Sequence, residues 1–108
     1  MKKGYKAEYQ VKKNLMKKFG KDSVFKIAIG GKTDFLVLGK NGKIEKLIEV
    51  KVTKKKKWYP SSHDLKQYQC LKKIHKKYKI PVEYWIKIKN NWEILGLDEL
   101  KEKFFKNL

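Results

Sequence analysis

The chain has 108 residues, which is the size of one domain, and 41% of them are apolar, which is enough to build a packed core. Its 29 basic residues outnumber its 11 acidic residues and leave a net charge of +18. Such an excess predicts a polyanionic partner, most often nucleic acid. Every basic residue is a lysine, which binds phosphate as a point charge. The composition therefore favours contact with a nucleic-acid backbone over the reading of base edges.

Several classes of protein are excluded early. The single cysteine, Cys70, permits neither an intrachain disulfide nor a cysteine-based zinc site. The lysines at Lys2 and Lys3 are not followed by the apolar stretch of a signal peptide. The longest clean apolar run, Phe35–Leu38, is too short to cross a membrane. We therefore expect an intracellular protein without a membrane partner. A basic protein of the membrane surface is the alternative, and it is disfavoured because the best helices lack a broad apolar face bordered by lysines.

The first half of the chain predicts one helix and three strands. Ala7, Val11 and Leu15 recur every four residues in a helix over residues 4–19, and Gly20 is a natural stop. Runs of β-forming residues predict strands at 24–29, 34–38 and 44–52. The dipeptide Asn41-Gly42 predicts a two-residue hairpin loop between the last two strands.

The second half predicts a longer helix, two strands and a short terminal helix. Ser61 or Ser62 can cap a helix with Asp64 in its first turn and apolar residues at spacings of three and four. Strands at 82–88 and 92–95 precede a helix over 97–105. The order α-β-β-β-α-β-β-α indicates an α/β fold with a mixed central β-sheet flanked by helices. The first three strands can form an antiparallel meander, and the fourth can cross over to lie parallel to a neighbour.

The predicted hairpin brings charged residues together. With a two-residue loop, Leu36 lies opposite Leu47 and Asp34 lies opposite Glu49, and directly opposed side chains share a face with Cβ atoms about 5 Å apart. Lys51 follows Glu49 on the same face, because side chains alternate along a strand. Two carboxylates and an ammonium group are therefore expected to converge at one end of the hairpin.

This convergence has a structural interpretation and a catalytic one. A carboxylate beside a lysine on a strand is often a solvated ion pair. Here the strand is apolar on both sides, so it is expected to be central, and acidic residues are scarce in this chain. Oxygen ligands at this separation suit Mg²⁺, which lowers the pKa of a bound water and neutralises charge on a phosphate. A nearby lysine can orient the water or stabilise the transition state.

These residues resemble a known enzyme core. Asp34, an interval of 14 residues and then Glu49-Val50-Lys51 resemble the PD-(D/E)xK nuclease motif. Glu8 in the first helix and Gln67 in the second add further matches. Together they are similar to the archaeal-type Holliday junction resolvases, over residues 4–88. The resemblance implies a restriction-endonuclease-like core and a single nuclease domain over residues 1–108.

The resemblance also implies roles for these residues. Asp34 and Glu49 would bind Mg²⁺, for which Mn²⁺ could substitute, and Lys51 would be the catalytic lysine. Glu8 would approach the metal as a ligand or through a water, and Gln67 would be a supporting polar residue. A homodimer would nick symmetrically related strands of a four-way DNA junction during recombination and repair. Such an enzyme would act in the cytoplasm of a prokaryote or of a virus-infected prokaryotic host.

Candidate DNA-binding residues surround the motif. The run Lys54, Lys55, Lys56 and Lys57 directly follows the predicted active-site strand, so we favour DNA contact over a solvated loop. Lys26 and Lys32 precede Asp34, and Lys26 stands in for the arginine that the resolvases carry in this region. Thr33 stands where the motif usually has proline.

Some aromatic residues have two interpretations. Trp58 and Tyr59 could stack on DNA bases or could pack in the core or a dimer interface. The aromatic surplus of the second half is expected to supply a dimer interface, with these candidates: Trp85, Trp92, Phe104 and Phe105.

Two other functions remain open at this stage. One is a different nuclease on the same core, such as a restriction-like or flap-cutting enzyme. The other is a non-enzymatic DNA-binding module in which the acidic pair is structural. The presence of Asp34, Glu49 and Lys51 together argues against the module, because a decayed site is expected to have lost at least one of them.

Overall fold

A computed structural model describes residues 5–27 and 34–106, except for the side chain of Tyr5. Its elements are α1 (Tyr5–Phe19), β1 (Val24–Lys26), β2 (Phe35–Leu38), β3 (Ile44–Thr53), α2 (Ser62–Tyr78), β4 (Val82–Ile88), β5 (Asn91–Gly96) and α3 (Leu97–Phe104), with a 3₁₀ turn at Lys21–Ser23. The predicted order of helices and strands is confirmed. The first strand was predicted over residues 24–29, but β1 ends at Lys26. Residues 28 and 29 of the predicted strand lie outside the described residues.

The five strands form one mixed sheet in the order β1-β2-β3-β4-β5. The first three strands are an antiparallel meander, β4 lies parallel to β3, and β5 returns antiparallel to β4. Both the meander and the parallel crossover were predicted from the sequence. The arrangement makes β3 the central strand, with a hydrogen-bonded neighbour on each side.

Helices cover both faces of the sheet. On one face, α1 buries Ala7, Val11 and Leu15 against a cluster of apolar residues from β1, β2 and β3. Gly20 ends this helix with a φ of 104°, a conformation that glycine adopts without steric cost. On the other face, α2 and α3 bury Tyr68, Leu71 and other residues against β3, β4 and β5. The even-numbered residues of β3 face α1, and the odd-numbered residues face α2.

The turn of the β2–β3 hairpin differs from the prediction. The expected two-residue loop is instead a wider turn, in which Gly39 N donates to Lys43 O at 2.7 Å and Gly42 N donates to Gly39 O at 3.0 Å. Gly42 has a φ of 78°, and a bulge between Val37 and Leu38 absorbs the extra residue. The bulge lies on the turn side of the hairpin. The predicted pairing of Leu36 with Leu47 therefore holds where the hairpin approaches Asp34.

Most of the aromatic surplus belongs to the core. Trp58 is buried and packs edge-on against Phe104 at 5.0 Å and Phe105 at 6.3 Å between ring centroids. Phe104 and Phe105 are therefore core residues, and their predicted place in a dimer interface is not needed to explain them. Trp85 and Trp92 pair edge to face at 6.4 Å, and Trp92 stays partly exposed. Among the described residues, no helix is long and apolar enough to span a membrane.

Candidate active site

The candidate site lies on the α2 side of the central strand. Glu49 and Lys51 are neighbours on this face of β3, and Glu49 is buried, with a side chain 5% exposed. The side chain of Lys51 is 16% exposed. Since charged groups are rarely placed so deep without a partner, the strand holds a polar site rather than a solvated ion pair.

Asp34 reaches the site from the neighbouring strand. Its backbone N–H donates to Ile48 O at 3.0 Å, and its Oδ2 accepts from the backbone N–H of Val50 at 2.6 Å. The second contact holds the Asp34 carboxylate at the backbone of Val50, which is the residue between Glu49 and Lys51. Asp34 also raises the pKa of Glu49 through charge repulsion between the two carboxylates.

Lys51 is held between two carboxylates. Its Nζ lies 3.2 Å from Glu49 Oε2 and 2.9 Å from Oδ1 of Asp64, at the start of α2. Burial alone would lower the pKa of the Lys51 ammonium group, but the charge of Glu49 and the hydrogen bond that Lys51 donates to Asp64 outweigh it and raise that pKa. The lysine is therefore a fixed cation beside the acidic pair.

Burial dominates the electrostatics of the acidic pair. Removal from water, followed by repulsion from Asp34, raises the pKa of Glu49 to about 8, against the opposing effects of Lys51 and Gln67. Burial also raises the pKa of Asp34, with the charge of Glu8 adding to it and the Val50 hydrogen bond opposing it. Because burial and mutual repulsion disfavour the charged forms of both carboxyl groups, a cation bound between them would favour those charged forms.

Glu8 lies at the margin of this group. Its Oε2 accepts a hydrogen bond from Lys26 Nζ at 2.8 Å, and its negative charge raises the pKa of Asp34. The structure therefore brings Glu8 near Asp34 but pairs it with Lys26. Lys26, expected to bind DNA, is about half exposed at the end of β1 and is engaged in this ion pair.

The second helix supplies two contacts to β3. Gln67 is buried and hydrogen-bonds the Glu49 side chain, which favours the charged form of that carboxylate. Asp64, one helical turn earlier, holds Lys51. Sequence reasoning saw Asp64 only as a favourable acid in the first turn of a helix. The available signal was its spacing of three residues from Gln67, which puts both on one helical face.

A tyrosine in the site was also missed. Tyr84 on β4 is paired in register with Glu49, so both side chains point to the same face of the sheet. Burial, and next the charges of Glu49 and Asp64, raise the pKa of its hydroxyl. Among the described residues, neither Tyr84 Oη nor Glu49 Oε1 has a hydrogen-bond partner, although both are buried. A buried carboxylate oxygen without a hydrogen-bond partner is a candidate for binding a ligand.

The residues present fit a hard divalent cation. Asp34 and Glu49 offer carboxylate oxygens, one of them buried and unpartnered. Mg²⁺ commonly binds through one or two carboxylates, with water and substrate phosphate completing its shell. Within the described ranges, no three acidic, histidine or cysteine side chains are grouped as a ready set of metal ligands. Asp34 and Glu49 are thus the pair that would hold the ion.

A basic surface adjoins the site. The run Lys54–Lys57 is exposed in the segment that leaves β3, directly after the strand that carries Lys51. Tyr59 is also exposed, and the Lys55 ammonium lies 5.7 Å from the centre of its ring. Trp58 is the buried member of the pair, so of the two aromatic residues only Tyr59 is exposed on this surface. Lys32 and Thr33 lie outside the described residues.

Comparison with solved structures identifies a similar fold. The chain superposes on the Holliday junction resolvase Hjc of Archaeoglobus fulgidus with a TM-score of 0.55 and 17% sequence identity, over 85% of this chain and 74% of that chain. The likeness shows a restriction-endonuclease-like fold, as the resemblance implied. No known family profile matches the chain, and no curated protein sequence matches it.

Proposed function

We propose that this protein is a divalent-metal-dependent DNA endonuclease whose substrate is the four-way junction, with residues 1–108 forming a single nuclease domain. The observation that carries the proposal is the convergence of Asp34, Glu49 and Lys51 at a largely buried position on the central strand of a fold similar to that of a resolvase. The net charge of +18 supports a DNA substrate. Such a role belongs to DNA recombination and repair in the cytoplasm of a prokaryote or of an infected prokaryotic host.

Each side chain has a task in phosphodiester hydrolysis. Asp34 and Glu49 would hold Mg²⁺, with Mn²⁺ as a substitute, and the ion would supply an acidified water and neutralise charge on the phosphate. Lys51 keeps its proton and lies beside the carboxylates, where it can stabilise the negative charge that develops on the phosphate oxygens. Gln67 orients Glu49, and Glu8 keeps Lys26 at the margin of the site.

Junction resolution adds a requirement for two active sites. One site on a small monomer cannot reach the two symmetric strands, so we infer a homodimer whose two-fold axis coincides with that of the junction. Of the four aromatic residues predicted for such an interface, Trp85 and Trp92 are the two that do not pack against Trp58. Lys54–Lys57 would track the DNA backbone close to the cut.

The test compares cleavage with binding in three variants. Asp34→Asn, Glu49→Gln and Lys51→Ala are each expected to reduce junction cleavage by at least 1,000-fold while leaving the dissociation constant for DNA within a few-fold, because 28 other lysines supply affinity. Cleavage is followed on labelled junctions with Mg²⁺, and binding by gel shift in EDTA.

Matched controls come from the other face of the same strands. Lys46 on β3 is as buried as Lys51, with a side chain 18% exposed, and is ion-paired with Glu83 at 3.1 Å. Lys46→Ala and Glu83→Gln are expected to retain cleavage. A site variant that cuts at near wild-type rate shows that the catalytic residues are misassigned.

A further inference from the structure

The contacts of Asp64 divide between its two carboxylate oxygens. Oδ2 accepts from Ser61 N at 2.8 Å and from Ser61 Oγ at 3.1 Å. Ser61 Oγ in turn accepts from Asp64 N at 3.2 Å, which completes a capping box at the start of α2. Oδ1 accepts from Lys51 Nζ at 2.9 Å. The hydrogen bond from the Ser61 backbone N–H to Oδ2 fixes the side-chain conformation of Asp64, so Oδ1 is held in place for Lys51.

The spacing of α2 matches the spacing of β3. Glu49 and Lys51 are two residues apart on a strand, which separates them by about 6.6 Å along one face. Asp64 and Gln67 are three residues apart on a helix, where side chains lie about 5–6 Å apart. Asp64 contacts Lys51 and Gln67 contacts Glu49, so α2 supplies a hydrogen-bond partner to each of the two charged residues of β3.

We propose that Asp64 is a positioning residue that fixes the Lys51 ammonium group for catalysis. The inference rests on the proposed function and adds a residue to it. Lys51 has two anionic partners, and Glu49 is the one that would be shared with the metal. Asp64 belongs to a different element, and the contacts that its side chain makes within the described part of the chain are those with Ser61 and Lys51. It therefore anchors Lys51 whatever Glu49 binds.

The alternative is that Asp64 serves only to cap α2. Ser61→Ala separates the two roles, because it removes the hydroxyl from the cap but leaves the Ser61 N–H and the contact with Lys51. Asp64→Asn keeps the shape of the side chain and removes its charge. Asp64→Glu restores a carboxylate, since glutamate is itself a favoured capping-box residue at this position.

The first measurement is spectroscopic and needs no activity. A buried lysine ammonium that donates to acidic side chains exchanges its protons slowly, so ¹⁵N-edited NMR at low temperature is expected to show a protected ammonium signal that Lys51→Ala removes and Lys46→Ala does not. Asp64→Asn is expected to lose that signal, and Ser61→Ala to keep it. A protected Lys51 signal that persists in folded Asp64→Asn overturns the proposal. So does the absence of any Lys51 signal in the wild type, which decides the question even if Asp64→Asn does not fold.

The second measurement is kinetic. On junction DNA with Mg²⁺, Asp64→Asn is expected to lower kcat about 10–100-fold with little change in KM, as when a supporting partner of a catalytic group is lost. Asp64→Glu is expected to recover most of this loss, and Ser61→Ala to retain wild-type kcat. Equal losses in Asp64→Asn and Ser61→Ala would assign Asp64 to the cap alone. If the wild type cuts no DNA, the proposed function fails, while the NMR result still decides whether Asp64 fixes Lys51.

Discussion

The buried carboxylate of Glu49 makes the stability of the protein depend on pH in an unusual direction. Its pKa is raised from 4.5 in the unfolded chain to about 8 in the folded one. Between these values the folded protein holds a proton that the unfolded chain has released. Stability contributed by Glu49 is therefore present at low pH and is lost as pH rises toward 8. A carboxylate in an ordinary surface ion pair behaves in the opposite way.

Glu49→Gln isolates this effect because glutamine has nearly the same shape and does not titrate. The interval between 4.5 and about 8 corresponds to a ceiling of about 5 kcal/mol, at about 1.4 kcal/mol per pH unit. Water that enters the site lowers this ceiling, so we expect about 2–4 kcal/mol. The free energy of unfolding of the variant, minus that of the wild type, is expected to rise by this amount between pH 5 and pH 9.

The assay is urea unfolding in EDTA at a series of pH values, with circular dichroism as the readout. EDTA is needed because a bound divalent cation would favour the charged form of Glu49. The difference between variant and wild type cancels the titration of most other groups. A difference that stays flat across this range, or that falls with rising pH, would refute the electrostatic account of the site. Glu83→Gln, which removes a partly exposed carboxylate on the other face of the sheet, is the control for the loss of a carboxylate outside the site.

Three further predictions concern the metal, the DNA surface and assembly. Because Glu49 must lose a proton to bind a cation, Mg²⁺ affinity measured by titration calorimetry is expected to rise about tenfold per pH unit below pH 8, and Asp34→Asn is expected to abolish the binding. Replacement of Lys54–Lys57 by glutamine is expected to reduce the salt slope of DNA binding by up to about 3.6, because each lost phosphate contact removes about 0.9. The same change at four exposed lysines of α2 is expected to reduce the slope less, the control set being Lys72, Lys73, Lys76 and Lys77. Sedimentation at moderate salt is expected to show a dimer, and a strict monomer that cuts one strand at a time would favour a general nuclease over a resolvase.

The sequence predicted the architecture well because its patterns are strong and local. The four-residue repeat of α1 and the capped start of α2 both match the structure. The hairpin turn was wrong in detail, because Asn41-Gly42 favours a two-residue loop and sequence alone does not reveal the bulge at Val37. The bulge leaves the pairing next to Asp34 unchanged, so the error in the turn does not alter the predicted approach of Asp34 to Glu49.

The contacts of the site were harder to predict than its location. Alternation along β3 gave the shared face of Glu49 and Lys51. The depth of their burial depends on α2 and β4, which are distant in sequence. For this reason the roles of Asp64 and Tyr84 were missed. Trp58 could not be assigned from sequence either, because an aromatic ring that stacks on DNA and one that packs against Phe104 look the same in a sequence.

The central claim is tested most directly by incubating the protein with a four-way junction, a linear duplex and a flap, each with Mg²⁺ or EDTA. We expect paired nicks on opposite strands of the junction in Mg²⁺, little cutting of the linear duplex, and no cutting in EDTA or by Lys51→Ala. Equal cutting of all three substrates would point to a nuclease without junction preference. Tight DNA binding with no cleavage in Mg²⁺ or Mn²⁺ would contradict the account and identify a DNA-binding module.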